Sequence, residues 1–160
     1  MRDYRSLLSG AGCDPGVISH CVTVCNVAMQ YADASGIADG ELVRAGAMLH
    51  DIGRGKTHSI AHAQIGADLC RSMGFPEEQA RIIECHTGAG LSADECTLLR
   101  LLPRECIPRT LEEKIVTNAD NLAGGKHRIT IEEHLNHVFF LNRKIRRRIY
   151  HLWLEMELYC

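Results

Sequence analysis

No uncharged apolar run in these 160 residues approaches the roughly 18–20 residues needed to span a bilayer. The opening Met-Arg-Asp-Tyr-Arg leads only into Leu7 and Leu8 before Gly10, so no signal peptide is visible. Neither sign of charge prevails: 18 Lys and Arg stand against 20 Asp and Glu, a net charge of -2, which argues against a generic nucleic-acid coat. Eight cysteines form no Cys-x-x-Cys, and the closest pair, Cys21 and Cys25, is spaced as neighbours on a helix and not as a zinc knuckle. They read as buried free thiols in a reducing compartment. Gly53-x-Gly55 and Gly124-Gly125 match neither a P-loop nor a dinucleotide fingerprint, which leaves ATP-driven chemistry and hydride transfer without support. Sustained period-two alternation, internal repeats and low-complexity tracts are missing as well.

What remains is a succession of helical patterns broken by turn signals every 15–20 residues or so. Asp14-Pro15 reads as an N-cap with proline in the first turn, followed by Val17, Cys21, Val24, Ala28 and Tyr31 at helical spacing as far as Gly36. Asp39 caps a second helix that ends at His50-Asp51, where Gly53 and Gly55 break it. A third runs from about Ile60 to Met73, and Gly74-Phe75-Pro76 opens a fourth carrying Ile82, Ile83 and His86. Ser92/Glu95, Thr110/Glu113 and Thr130/Glu133 are capping boxes. Pro103 and Pro108 bracket a loop, Gly124-Gly125 stops the penultimate helix, and the last helix runs from about Thr130 nearly to the end. The expected class is all-α, one domain over residues 1–160, with a core of about 15–125 and a helical extension of about 130–158.

The chemistry centres on His50-Asp51. Adjacent helical residues point about 100° apart, so they converge on one atom only near a terminus or a break, and Gly53 supplies that break. His20 shares a helix face with Val17 and Val24, and Asp120 lies among apolar neighbours in Ile-Val-Thr-Asn-Ala-Asp-Asn-Leu. Burying two carboxylates without compensation is expensive, so a cation between Asp51 and Asp120 accounts for both. Two imidazoles with two carboxylates suit Mn²⁺, Fe, Co²⁺ or Zn²⁺. His62, ahead of Gly66-Ala67, and His86, ahead of Thr87-Gly88, fall between them, with His58 a rival to His62.

The ordered series His20, His50-Asp51, His62, His86, Asp120 resembles the HD superfamily of metal-dependent phosphohydrolases, whose signature is H…HD…D on a helical bundle. The resemblance covers about residues 15–125, and the fuller H…HD…H…H…D pattern looks like its two-metal branch. It implies a single HD-type bundle, with His20, His50, Asp51 and Asp120 on one metal, His62 and His86 on a second, and Asp51 bridging as the central catalytic carboxylate. It implies divalent ions, two per chain, drawn from Mn, Fe, Co, Ni or Zn with Mg admissible. It also implies hydrolysis of a phosphoester or phosphoanhydride in a nucleotide or similar small phosphorylated compound, since water on such ions loses a proton near neutral pH.

Arg54, Lys56 and His58 follow the doublet directly and are the candidate phosphate contacts, with solvated loop cations as the alternative for the first two. Gly124-Gly125-Lys126-His127-Arg128 reads as a helix stop or as a second phosphate loop. Arg143, Lys144, Arg146, Arg147 and Arg148, beside Phe139, Phe140, Tyr150 and Trp153, suggest a runner-up function in RNA binding, although Ile145 and Ile149 look like packing residues. A ligand-sensing domain without catalysis is a further alternative. The expected setting is cytoplasmic, with no membrane partner, and a homodimer is left open.

Overall fold

Local capping chemistry sets most of the helix starts. The computed structural model describes residues 3–160, so Met1 and Arg2 of the stretch read for a signal peptide lie outside it. Helix α1 (Tyr4–Gly10), which the sequence pattern does not announce, begins where Asp3 accepts a hydrogen bond from Ser6 N–H, and it docks through the fully buried Leu8. In α2 (Pro15–Ser35) the Asp14 side chain accepts from the N–H groups of Gly16 and Val17, and Gly36 ends the helix in the left-handed conformation, φ +65°. Asp39 caps α3 (Gly40–Leu49) in the same way. His50 and Asp51 then lead into a tight 3-10 turn, Ile52–Gly55, followed by α4 (His62–Ser72) and α5 (Glu77–Cys85).

All three capping boxes form with both reciprocal bonds, opening α6 (Ala93–Leu98), α7 (Leu111–Asn121) and α8 (Ile131–His137). The single last helix expected from Thr130 onward is in fact two. Helix α8 stops at Val138, and α9 (Arg143–Glu157) starts afresh where the Asn142 side chain accepts from Lys144 N–H. The pattern concealed this break because Phe139 and Phe140 continue the apolar spacing, yet they stand 70% and 72% exposed on the connection. Gly124-Gly125 does not itself stop α7, which has ended at Asn121. It turns a two-residue hairpin, β1 (Ala123–Gly124) against β2 (His127–Arg128), with Gly125 at φ +68°. Strands this short leave no period for a sequence pattern to show.

The central helices α2, α3, α5 and α7 pack around Val24, Ala28, Val43, Leu49, Ile82, Ile83, Ile115 and Val116, all buried. All eight cysteines are free thiols, and seven are buried. Among the described residues no helix is long and apolar enough to cross a membrane.

One glycine contact positions the chemistry. A Cβ on Gly53 would run into the His62 carbonyl oxygen and the Gly66 amide nitrogen. The turn after Asp51 therefore lies backbone to backbone on the first turns of α4, which carries His62. Gly53→Ala is expected to destabilise the fold by about 1–3 kcal/mol, because backbone cannot rotate aside as a side chain can. Denaturant unfolding measures this, and an unchanged midpoint would refute the contact.

Candidate metal centre

The helix ends aim the imidazoles. The last carbonyls of a helix have no intrahelical N–H partner. His50, just past α3, uses Nδ1 to donate to the Ala47 carbonyl at 2.8 Å, and His86, just past α5, donates to the Ile83 carbonyl at 2.6 Å. His62, the first residue of α4, donates through Nδ1 to the Ser59 carbonyl at 2.8 Å. With Nδ1 anchored three times by backbone, Nε2 is the nitrogen left to each ring, which is how ligating histidines are commonly held.

These Nε2 atoms gather on Asp51 and Asp120. Asp51 Oδ1 lies 3.1 Å from His62 Nε2 and 3.5 Å from His86 Nε2, while Oδ2 lies 3.7 Å from His50 Nε2 and 4.0 Å from His20 Nε2. Asp120 Oδ1, on the last turn of α7, is 2.9 Å from His20 Nε2 and 3.5 Å from His50 Nε2. His62 Nε2 and His86 Nε2 are 3.1 Å apart. The two oxygens of Asp51 thus face two different histidine pairs.

The arrangement fits a cation. Donors about 2.0–2.2 Å from one ion stand roughly 3–3.5 Å from each other. The ligating atoms of His20, His50 and Asp120 all lie within 4.8 Å of one another, and so do those of His50, Asp51 and His86. His50 Nε2 is buried without any hydrogen-bond partner, although His50 is 0% exposed. Burial favours a neutral Asp51, but the His50 charge and the close approach of the His62 and His86 imidazoles outweigh it and hold the carboxyl well below the usual range. Asp120 behaves alike: burial opposes its charge, and the close His20 and His50 imidazoles, at 2.9 and 3.5 Å, prevail. The same balance acts on His50, where burial disfavours the imidazolium yet the Asp51 carboxylate makes it more basic than usual. Burial dominates at His86 and lowers its pKa. Two ionised carboxylates walled in by imidazoles attract positive charge.

The remaining candidates divide. Arg54 donates from Nε to Asp51 Oδ1 at 3.2 Å and from Nη1 to the His58 carbonyl at 2.9 Å. It lines a cavity of about 320 Å³ together with His62, His86 and Asp120. Lys56 and His58 are exposed and lie outside that lining. Of the two rival histidines the structure brings His62, and not His58, to Asp51. The Gly124–Arg128 segment forms the hairpin, where Arg128 reaches Gln30 Oε1 at 2.8 Å, and it too is absent from the lining. Within the basic run, Arg148 is engaged by both Glu95 oxygens (2.8 and 2.9 Å) and by the Gly90 carbonyl (2.9 Å), while Ile145 and Ile149 line the cavity. Arg143, Lys144 and Arg147 are exposed.

Sequence reasoning missed the rest of the cavity. Its apolar lining includes Ile60, Leu91, Leu99, Val138 and Leu141, joined by Thr87 and His134. Nothing local separates His134 from the exposed His127 or His137. The 4-spacing of Leu141, Ile145 and Ile149 was the one usable signal.

The family model described as HD domain matches residues 17–125. An uncharacterized protein of Methanocaldococcus jannaschii is 46% identical over 125 residues, which cover 76% of this chain and 74% of that one. The tRNA (cytidine(56)-2'-O)-methyltransferase of Picrophilus torridus is 42% identical over 127 residues, 79% of this chain but only 37% of that protein's length. Among solved structures, the HD domain of the L. monocytogenes phosphodiesterase PgpH superposes with a TM-score of 0.61 at 17% identity, covering 97% of both chains.

Proposed function

The chain belongs to the HD-domain family and has the fold of metal-dependent phosphohydrolases, and we propose that it hydrolyses a phosphoester or phosphoanhydride bond in a nucleotide or a similar small phosphorylated compound. Family membership implies a divalent metal ion, and the observation that carries the reading is the division of Asp51 between two histidine pairs beside the cavity. His20, His50, Asp51 and Asp120 would hold one ion, and His62 and His86 a second that shares Asp51. Bound there, such ions supply Lewis acidity: they lower the pKa of water and offset phosphate charge.

The protein's own groups do the rest. The backbone-anchored imidazoles keep their donor atoms in place without reorganisation. Arg54, the member of the trio Arg54, Lys56 and His58 that lines the cavity, is placed to meet a phosphate oxygen while its Nε holds Asp51. The aliphatic lining keeps bulk water away from the phosphate, which strengthens each of these charge interactions.

The test starts with protein purified without chelator. Its metal content is measured, and phosphate release from nucleotides and simple phosphoesters is followed with Mn²⁺, Co²⁺, Ni²⁺ and Mg²⁺. Turnover that chelation abolishes and metal restores is the expected result; none with any metal across the panel overturns the proposal. In the same assay Arg54→Ala should lower kcat/KM about 10–100-fold at unchanged metal content, the worth of one shielded charge-assisted hydrogen bond. Lys56→Ala should change it by no more than about threefold. Equal effects of the two would return Arg54 to a solvated loop cation.

A further inference from the structure

The turn that follows His86 is held from two sides. The Gly88 carbonyl accepts a hydrogen bond from Asn121 Nδ2 at 2.6 Å, and the Gly90 carbonyl accepts one from Arg148 Nη1 at 2.9 Å. Between them the chain reverses: Gly90 N–H donates to the Thr87 carbonyl at 2.8 Å, with Gly88 at φ +64° and Gly90 at φ +81°. Packing fixes the far end of this turn as well, since a Cβ on Gly90 would strike the Cys106 carbonyl oxygen and the Pro108 ring. The end nearer His86 has Asn121 instead, a buried side chain at the close of α7.

His86 depends on that hold. Its ring is anchored at Nδ1 by the Ile83 carbonyl, one turn back in α5, which sets the ring's direction but not the place of the chain beyond the helix end. Asp120 and Asn121 are neighbours on α7, and adjacent helical residues point about 100° apart. The carboxylate therefore faces His20 and His50 while the amide reaches across to the turn beyond His86. We propose that Asn121 is the positioning residue of His86. By holding the Gly88 carbonyl it fixes the turn in which α5 ends, and it keeps His86 Nε2 beside Asp51 Oδ1 and His62 Nε2, at 3.5 and 3.1 Å. Helix α7 then serves both halves of the centre, one through Asp120 directly and the other through Asn121 and His86. The inference rests on the reading of His86 as a ligand of the second ion.

Packing does not account for Asn121, because a buried amide is worse than an apolar side chain unless its polar atoms find partners. Thr117, one turn earlier on α7, bonds back to its own helix at the Glu113 carbonyl (2.7 Å) and comes only to 3.5 Å from the Cys85 carbonyl. Asn121 thus makes the short bond from α7 to the chain that carries His86. Removing the partner that holds a ligand in place commonly costs about 10–100-fold in metal affinity. Loosening of the whole bundle would weaken both ions, whereas loss of a hold on His86 weakens one.

Two variants test this, with circular dichroism to establish that each is folded. Asn121→Ala removes the donor. Asn121→Asp keeps the shape and sets an acceptor against the Gly88 carbonyl, and its added negative charge would by itself draw a cation in, so weaker binding there cannot be a charge effect. Metal-free protein is titrated with Co²⁺ by calorimetry, and the ion that depends on His62 and His86 is identified from the double variant His62→Ala/His86→Ala. Both Asn121 variants should weaken that ion by about 10–100-fold and leave the other unchanged. In the metal-free state, NMR of the histidine rings should show the His86 signals shifted or broadened and those of His20 and His50 in place. The proposal is overturned if a folded variant binds both ions as the wild type does, if both ions weaken alike, or if the His86 signals do not move. A wild type that takes up a single ion counts against the two-ion reading alone, and the His86 signals of the metal-free variants then decide the role of Asn121.

Discussion

Asp51→Asn is expected to lose bound metal and to lower hydrolysis by more than about 100-fold while leaving helix content intact. The substitution keeps the volume of a residue that is 6% exposed, so packing is preserved. It removes the charge, and it turns one of the two acceptor atoms into a donor. In the native protein Oδ1 faces His62 and His86 while Oδ2 faces His50 and His20, so either amide orientation sets an NH₂ group against one histidine pair. That pair cannot share an ion with a donor, and the other keeps only a weaker, neutral oxygen ligand. Asp120 alone would then carry the negative charge of the centre. Metal analysis, circular dichroism and turnover of a verified substrate report the three quantities separately. Full metal occupancy with native activity in this variant would falsify the assigned centre.

How far the sequence alone leads depends on whether a feature is local. Asp14, Asp39, Ser92, Thr110 and Thr130 announce their helices because a cap is made within three or four residues, and each of these helices begins where that chemistry puts it. Helix α1 has a local cap too, at Asp3, but its seven residues bury only Leu8 and so leave no apolar period to announce it. The break between α8 and α9 escapes for the opposite reason: Phe139 and Phe140 supply apolar spacing with no core to bury them.

The candidate site divides along the same line. His20, His50-Asp51 and Asp120 are legible because buried carboxylates and imidazoles on apolar helix faces are costly unless they meet. Their side chains do meet, within 2.9–4.0 Å. Arg54, Lys56 and His58 look alike in sequence, and only the course of the 3-10 turn, fixed by Gly53 against α4, brings the first to the cavity and leaves the others in solvent. His134 carries no local mark at all, since it reaches the cavity wall only through the fold of the C-terminal helices.

The metal count separates one ion from two. His62 and His86 stand on different helices, with Nε2 atoms 3.1 Å apart, and both face the Asp51 oxygen that His20 and His50 do not approach most closely. Neither is needed for the set His20, His50, Asp51 and Asp120, which offers four donors, enough for one ion by itself. Replacing both His62 and His86 with Ala should therefore reduce the metal from about two per chain to about one, with the remaining ion retained on dialysis. His20→Ala should strip the other ion, because His50 and the two carboxylates are left with a gap on the α2 side, where His20 approaches Asp120 at 2.9 Å. His58→Ala serves as the control: its ring is exposed and only its backbone carbonyl is used, by Arg54, so the count should not move. Metal-to-protein ratios on samples loaded and then desalted supply the numbers. A wild-type ratio near one that is unaltered without His62 and His86 would establish a mononuclear centre and reduce that pair to substrate contacts or core hydrogen bonds. A loss of metal with His58→Ala but not with His62→Ala would show that the ligand at the start of α4 is the other histidine. The short Nε2–Nε2 distance argues for the two-ion outcome. Two imidazole nitrogens at 3.1 Å beside a carboxylate oxygen can satisfy one another with at most a single proton, whereas an ion between them would take both lone pairs at once.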